Sequence, residues 1–343
     1  MDLAAGHHVE LVEVASAVIT MPHLLNSIDE SLVPWLRDRG QGAYRVGQVR
    51  NWLFARRVAS FDEMTNLPQK VRAELSSEFA LWSSTIARHT RADDGTEKLL
   101  LTLADGGQIE CLLLRDEVRR TICISTQVGC GMGCVFCASG LDGLARNLTT
   151  GEIVEQMLRL QQLLGPDERL SHIVVMGMGE PLANLDNLLP ALEEASRDDG
   201  LSISARRITI STVGLPKAMR RLADAGARYR LAVSLHAPND AIRRQIVPPG
   251  EKIALADILA EADHYFELSG RQLTFEYVLL ADINDRSEHA HELARLLGRR
   301  TALVNVIPFN PVAGPPYRTP TTATQQAFRR ILLPFLKPAI GGA

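Results

Sequence analysis

The sequence has no apolar run approaching the ~20 residues that cross a bilayer, so no membrane-spanning role is expected. It also lacks the basic start of a secretory signal. The chain opens Met1-Asp2 and carries Glu10 and Glu13. The cytoplasm is the expected compartment. Neither sign of charge dominates: Lys+Arg number 37 and Asp+Glu 40, for a net charge of -3. That excludes a polycation binding nucleic acid over its whole surface. Any such contact must come from local basic patches. Low-complexity tracts and repeat arrays are absent. Cysteine is sparse too. Cys111, Cys123, Cys130, Cys134 and Cys137 all fall within 27 positions. An odd, clustered set in a chain of this size is no disulfide framework. It points to metal binding or catalysis.

What is present is ordinary for a globular protein, 46% apolar and 22% charged. The length suits one large α/β domain and a small accessory one. Residues 1–26 carry no clear pattern. From Ser27 to Glu78 apolar residues recur at helical spacing, as in Leu32, Trp35 and Leu36, then Val46, Val49, Trp52 and Leu53, then Leu67, Val71 and Leu75. Residues 1–95 are read as an N-terminal helical accessory region, and 96–343 as the core domain. The core opens with "KLLLTLADGGQIECLLL", two β-like runs joined by Asp-Gly-Gly, which predicts a hairpin.

From Thr121 onward β-branched runs alternate with helical stretches. The expected strands are "TICIST", "HIVVMGMG", "RITISTV", "RLAVSLH", "LTFEYVLL" and "ALVNVIP". The expected helices include 151–164, 185–197, 216–225 and 286–298, with Thr149 and Glu152 as a capping box. Repeating β–α units imply parallel strands. The fold class is therefore α/β, a partial or full (β/α) barrel with chemistry at the C-terminal ends of its strands.

"Cys130-Gly-Met-Gly-Cys134-Val-Phe-Cys137" follows directly after "TICIST". Three thiolates at this spacing, with glycines between, can wrap one side of a cuboidal cluster. A [4Fe–4S] cluster ordinarily takes four cysteines. Three would leave one iron open to chelate a substrate. A structural zinc needs four protein ligands, and no fourth Cys or His sits nearby at ribbon spacing. Buried structural thiols are the remaining reading. The spacing favours the cluster.

This CxxxCxxC pattern, with Phe136 before its last cysteine, resembles the signature of the radical S-adenosylmethionine (SAM) superfamily. The resemblance implies an open iron that binds the amino and carboxyl groups of S-adenosylmethionine. One electron then cleaves the cofactor to a 5′-deoxyadenosyl radical. The segments "CISTQVGCGMGCVFCASGLDGLARNLTTGEI", "GMGEPLANLDN", "ITISTVGLP", "LAVSLHAPND", "FEYVLLADIND" and "VNVIPFNP" resemble the RlmN/Cfr family, in order from about residue 40 to about 335. "RVGQVRNWLF…FDEMTNLP" resembles that family's N-terminal helical module. The resemblance implies methylation of an adenine carbon in large-subunit ribosomal RNA, or in transfer RNA. It also implies an electron donor such as flavodoxin, and a monomer. Adenine carbons 2 and 8 are electron-poor, so polar methyl transfer fails there and a radical route is needed.

The family's functional residues map onto this sequence one by one. Gly179 and Glu180 match its site for the amino end of S-adenosylmethionine. The bare residues agree, since a glycine-rich strand end lets backbone approach a ligand and a carboxylate holds an ammonium. Ser211, Ser234, Leu235, His236 and Asn310 match the remaining cofactor contacts, each at the end of an expected strand. Cys123 matches a cysteine that forms a transient disulfide during product release; taken alone it reads as a buried strand thiol. Glu110 matches the proposed proton acceptor; taken alone it reads as a solvated charge. Cys111, adjacent on the same strand, faces the other side and is read as core. Residues 41–60 hold Arg45, Arg50, Arg56 and Arg57 among Tyr44, Trp52 and Phe54, with no acid. Arginines pair with phosphates and aromatics stack on bases, so RNA contact is expected there. The family's methyl-carrying cysteine lies in a C-terminal Ala-Cys-Gly-Gln-Leu segment. This sequence has no cysteine after Cys137. The alternative expectation is therefore a protein that binds RNA and binds or cleaves the cofactor without methyl transfer.

Overall fold

The computed structural model describes residues 21–298, 300–312 and 314–333. Helices α1 (Ile28–Asp38), α2 (Tyr44–Arg50) and α3 (Gln69–Glu78) come first. The apolar spacing seen in the sequence becomes their shared core: Leu32, Trp35, Leu36, Val46, Val49, Leu53, Val71 and Leu75 are all buried. α2 runs on into a single π-helical turn, Asn51–Ala55. Arg50 fastens this module to the core domain. Its side chain is 1% exposed, with Asp29 of α1 at 3.4 Å, Glu194 at 2.6 Å and Asp199 at 2.9 Å.

The main sheet begins with an antiparallel meander, β1 (Ser84–Arg91), β2 (Glu97–Leu103) and β3 (Gln108–Arg115). β2 and β3 are the hairpin expected from Asp-Gly-Gly. Position 95 falls in the turn between β1 and β2, so the sheet already starts at Ser84. β4 (Arg120–Cys123) pairs antiparallel with β3 and parallel with β7 (His172–Val175). β5 (Gln127–Gly129) and β6 (Leu144–Asn147) form a separate two-stranded hairpin between them. Then β8 (Ile208–Thr212), β9 (Arg230–Ser234), β10 (Leu273–Leu279) and β11 (Ala302–Pro308) add in sequence order, all parallel. β1 and β11 stand at the two edges. The barrel is therefore partial, and the six strands read from the sequence are its six parallel members.

Crossover helices cover the sheet: α4 (Thr150–Gln161), α5 (Leu185–Ser196), α6 (Pro216–Asp224), α7 (Asp240–Ile246), α8 (Leu255–Ser269) and α9 (Ser287–Leu297), with α10 (Thr322–Leu332) after β11. Thr149 caps α4 as expected, accepting from the Glu152 N–H while the Glu152 carboxylate takes the Thr149 N–H. α7 and α8 were not named from the sequence. Together they fill the β9–β10 connection. Among the described residues no helix is long and apolar enough to cross a membrane.

Candidate cofactor site

The β5–β6 hairpin exists to carry a loop, and that loop holds the three-cysteine motif. Gly129 and Gly143 close it with positive φ, 75° and 74°. A side chain on Gly129 would meet the Gly143 carbonyl oxygen at 2.1 Å, so glycine is required there. The Cys130 N–H donates to that same carbonyl at 2.8 Å. Farther along, the Val135 N–H donates to the Ile246 carbonyl at the end of α7 at 3.1 Å. The loop also packs on a small second core, in which Cys134 joins Val213, Ala237, Ile246, Val247, Leu280 and Phe309.

Cys130, Cys134 and Cys137 all line one cavity of about 270 Å³ at the C-terminal ends of the parallel strands. Burial pushes the Cys134 thiol up to about 12, with Cys137 and Cys130 adding to it. Burial likewise raises Cys130. Among the described residues no three Cys, His, Asp or Glu side chains converge as they would around a single metal ion. Three soft donors spread around one cavity fit a polynuclear iron–sulfur cluster better than a lone zinc.

Facing the thiols are the strand-end residues. Gly179 lies in the cavity wall with φ 103°, and a Cβ there would fall 2.6 Å from the Cβ of Gln127. Glu180 follows and is 2% exposed. Its Oε1 accepts the Leu182 N–H at 3.0 Å, its Oε2 accepts the Val213 N–H at 2.9 Å, and the Thr212 hydroxyl adds a third bond. Burial raises its pKa, against the pull of those donors. Among the described residues no cation pairs with it. A buried carboxylate bordering a cavity without a counter-charge is suited to hold an ammonium.

Ser211, Ser234 and His236 also line the cavity. His236 takes φ 57°, rare for a side chain other than glycine. Its Nδ1 accepts the Val278 N–H at 3.1 Å, which leaves the proton on Nε2. Burial, and then Arg243, lower its pKa to about 3, so the ring is neutral. Phe136 meets it edge-on with ring centres 5.0 Å apart.

Several expected residues lie elsewhere. Leu235 is fully buried in the main core, and Asn310 is exposed beyond β11; neither lines the cavity. Cys123 ends β4 behind the wall, where it accepts from the Met176 N–H, and burial raises its thiol to about 11. Glu110 is half-exposed on β3, 2.8 Å from Lys98 Nζ, over a separate surface hollow. Cys111 is fully buried, as expected for core. All five cysteines are free thiols. The basic 41–60 segment divides. Arg50 is locked among carboxylates, and Arg57 donates to the carbonyls of Leu164, Gly165 and Glu168. Arg45, half-buried, lies over the Tyr44 ring at 5.3 Å, and the exposed Arg56 over Trp52 at 4.5 Å.

Three residues of the site were not read from the sequence. Glu276 lines the cavity from mid-β10, 7% exposed and held by the Asn305 amide at 3.0 Å. Gln127 accepts the Glu180 N–H at 2.8 Å. Arg243, 1% exposed, donates to the carbonyls of Ser234, Leu235 and Val213 at 3.0, 2.6 and 2.5 Å. It thereby ties the ends of β8 and β9 together behind the cavity. Burial holds its pKa down to about 10. Its only sequence signal is an arginine amid the otherwise amphipathic α7.

Known proteins place this geometry. Residues 124–296 match the model of the radical SAM superfamily, and residues 23–81 match that of the ribosomal RNA large subunit methyltransferase N-terminal domain. A protein of Rhodopirellula baltica, named probable dual-specificity RNA methyltransferase RlmN, is 61% identical over 310 residues, 90% of this chain and 84% of its own length. The Symbiobacterium thermophilum protein of the same name is 45% identical over 306 residues, 88% of this chain and 82% of its own. A crystal structure of a radical SAM methyltransferase from Sphaerobacter thermophilus superposes with a TM-score of 0.88 at 38% identity, covering 92% of this chain and 93% of that one. These relatives bear methyltransferase names, and none favours the alternative of binding without transfer. The cofactors of the superfamily, a [4Fe–4S] cluster and S-adenosylmethionine, are those the cavity's donors suit. The chain belongs to the RlmN family of radical SAM methyltransferases.

Proposed function

We propose that this enzyme methylates an adenine carbon in RNA, with large-subunit ribosomal RNA as the first substrate and transfer RNA as the second. The observation that carries the reading is the pairing, in one cavity, of three thiols with the uncountered carboxylate of Glu180. Cys130, Cys134 and Cys137 hold the cluster. When bound, cluster and S-adenosylmethionine together supply a carbon radical able to attack an electron-poor ring. Glu180 fixes the cofactor's ammonium, with Gly179 giving the backbone room. Ser211, Ser234 and the Nε2–H of neutral His236 are polar contacts for the rest of the cofactor; Leu235, in the core, and Asn310, exposed beyond β11, take no direct part. Phe136 and the apolar patch beneath the loop shield Cys134, the most buried of the three thiols. By likeness to the family, Cys123 serves product release and Glu110 proton acceptance; in the fold Cys123 lies outside the cavity lining and Glu110 borders a separate hollow. The helices before β1 serve RNA contact through Arg45, Tyr44, Trp52 and Arg56. Flavodoxin or a similar donor supplies electrons to a monomeric enzyme in the cytoplasm.

The test is direct. Anaerobically reconstituted protein is incubated with reductant, methyl-labelled S-adenosylmethionine, and unmodified ribosomal RNA or transfer RNA transcripts. Digestion to nucleosides should show label in methyladenosine, and the isomer identifies the carbon. Label found only outside adenine would refute the assignment.

A further inference from the structure

The parallel strands start on the face opposite the cavity, and that face is basic. Arg119 precedes β4, Arg169 leads towards β7, Arg206 and Arg207 form the turn into β8, and Arg228 and Arg230 open β9. The strand register brings them together. Thr121 pairs with His172, Ile173 with Ile208, and Thr209 with Arg230. Carried below the strands, the same register sets His172 level with Arg207, one step before the Ile173–Ile208 pair, and Arg207 level with Arg228, two steps before the Thr209–Arg230 pair. All six arginines are exposed, and among the described residues none forms an ion pair. His172 senses them: burial first, then Arg119, Arg207 and Arg230, lower its pKa. Asp116, exposed beside them, uses its Oδ1 to accept the backbone N–H groups of Val118 and Arg119.

The patch continues onto the N-terminal module. A groove of about 540 Å³ runs from Arg169 and Arg207 to Phe54, Ala55 and Arg57, with Asp167, Glu168 and Asp198 also in its lining. Just beyond lies Arg56, stacked on Trp52. Clustered like charges on rigid strand ends repel one another. A guanidinium's planar fork suits phosphate oxygens. The molecule as a whole carries a net charge of -3, so this concentration of arginine is local.

We propose that this face is a second RNA-contact surface, holding backbone phosphates of the substrate at a distance from the nucleotide in the cavity. The inference rests on the RNA reading above. An acidic electron-donor protein is the less fitting occupant. β8, with five residues, spans roughly 17 Å at ~3.3 Å per residue from this face to the cavity end, and a donor must approach the cluster. Phosphate contacts grip without reading sequence. The consequence is a preference for large folded RNA over short fragments bearing the same target.

The experiment compares wild type with Arg207→Glu/Arg230→Glu and with the milder Arg207→Gln/Arg230→Gln. Each is titrated with an in vitro transcript of a large-subunit ribosomal RNA domain and with a short hairpin cut from it, over a range of KCl. Thermal midpoints check the fold. For the long transcript, each lost phosphate contact should lower the slope of log affinity against log salt by ~0.7–0.9. Either pair should lower it by about 1.4–1.8, and charge reversal should weaken binding about 10- to 100-fold at ~0.1 M salt, with the Gln pair's loss of affinity smaller. Hairpin binding should stay within about twofold of wild type. Unchanged affinity and slope for the long transcript overturn the inference and leave the functional reading standing. Equal losses on both RNAs overturn it as well. Slower reduction of the cluster by flavodoxin with RNA binding intact assigns the face to the donor instead. A wild type that binds neither RNA overturns the inference together with the RNA reading it rests on.

Discussion

Replacing Gly179 with alanine tests how the cavity wall is built. At φ 103° an L side chain is strained, which costs ~1–2 kcal/mol. The new Cβ would also lie 2.6, 2.7 and 2.8 Å from the Cβ, Cγ and backbone N of Gln127. Such overpacking costs ~1–3 kcal/mol. Gln127 cannot retreat freely. Its Oε1 holds the Glu180 N–H at 2.8 Å and its Nε2 holds Asn147 at 2.7 Å. Losing the first of these adds ~1 kcal/mol. The expected loss is ~3–6 kcal/mol, with Glu180 displaced as a consequence. Two controls separate the causes. Gly106 has φ 84° and open space around its Cβ, so alanine there should cost only the strain, ~1 kcal/mol. At Gly177 no positive φ is involved, but a Cβ would meet Ser125 Oγ at 2.6 Å, so alanine there should cost ~1–3 kcal/mol. Denaturant unfolding of the three variants gives the order directly. If Gly179→Ala falls no further than Gly106→Ala, the claimed contact with Gln127 is wrong.

Alanine at Cys130, Cys134 and Cys137 together should abolish iron loading; iron and sulfide analysis after anaerobic reconstitution decides it, and retained iron would mean other ligands. Glu180→Gln should weaken S-adenosylmethionine binding to the cluster-loaded protein about 100-fold or more, since removing one partner of a buried charge pair costs ~3–5 kcal/mol; equilibrium dialysis measures it, and a change under threefold would count against an ammonium contact. His236 has its folded pKa held near 3, below the ordinary 6.5. Its stabilisation is therefore complete above pH 6.5 and drains away as pH falls from 6.5 towards 3. Cluster-free His236→Asn should lose less stability than wild type over that window in urea titrations; parallel curves would contradict a buried neutral imidazole.

The barrel was legible because each parallel strand is a short β-branched run closed by glycine or a polar residue, as in "RITISTV" and "RLAVSLH". Such runs need no long-range information to be seen. The motif cysteines and the Gly179–Glu180 corner were legible for a similar reason, since their spacing is local. What escaped was set by contacts between distant segments. Gln127 and Glu180 stand 53 positions apart, and Arg243 closes on Val213 across 30. The β5–β6 hairpin escaped because its strands of three and four residues are too short to show alternation. The arginines of 41–60 show the limit from the other side. Composition made them one basic run, yet Arg50 and Arg57 are engaged by carboxylates and carbonyls of the core domain, while Arg45 and Arg56 lie over aromatic rings of their own module.

Arg50 has a further consequence. A guanidinium this deeply enclosed, gripped by Asp29 from one side and by Glu194 and Asp199 from the other, cannot let go without stranding its charge. The helical module is thus riveted to the flank of the sheet rather than tethered to it. Its outward Trp52 and Arg56 stay at a constant offset from the mouth of the cavity. Under the RNA reading proposed above, the molecule would work as a caliper: one jaw is the module, the other is the cavity, and the gap between them is set by the fold. Selection of the target nucleotide would then be a matter of measured length along a folded substrate.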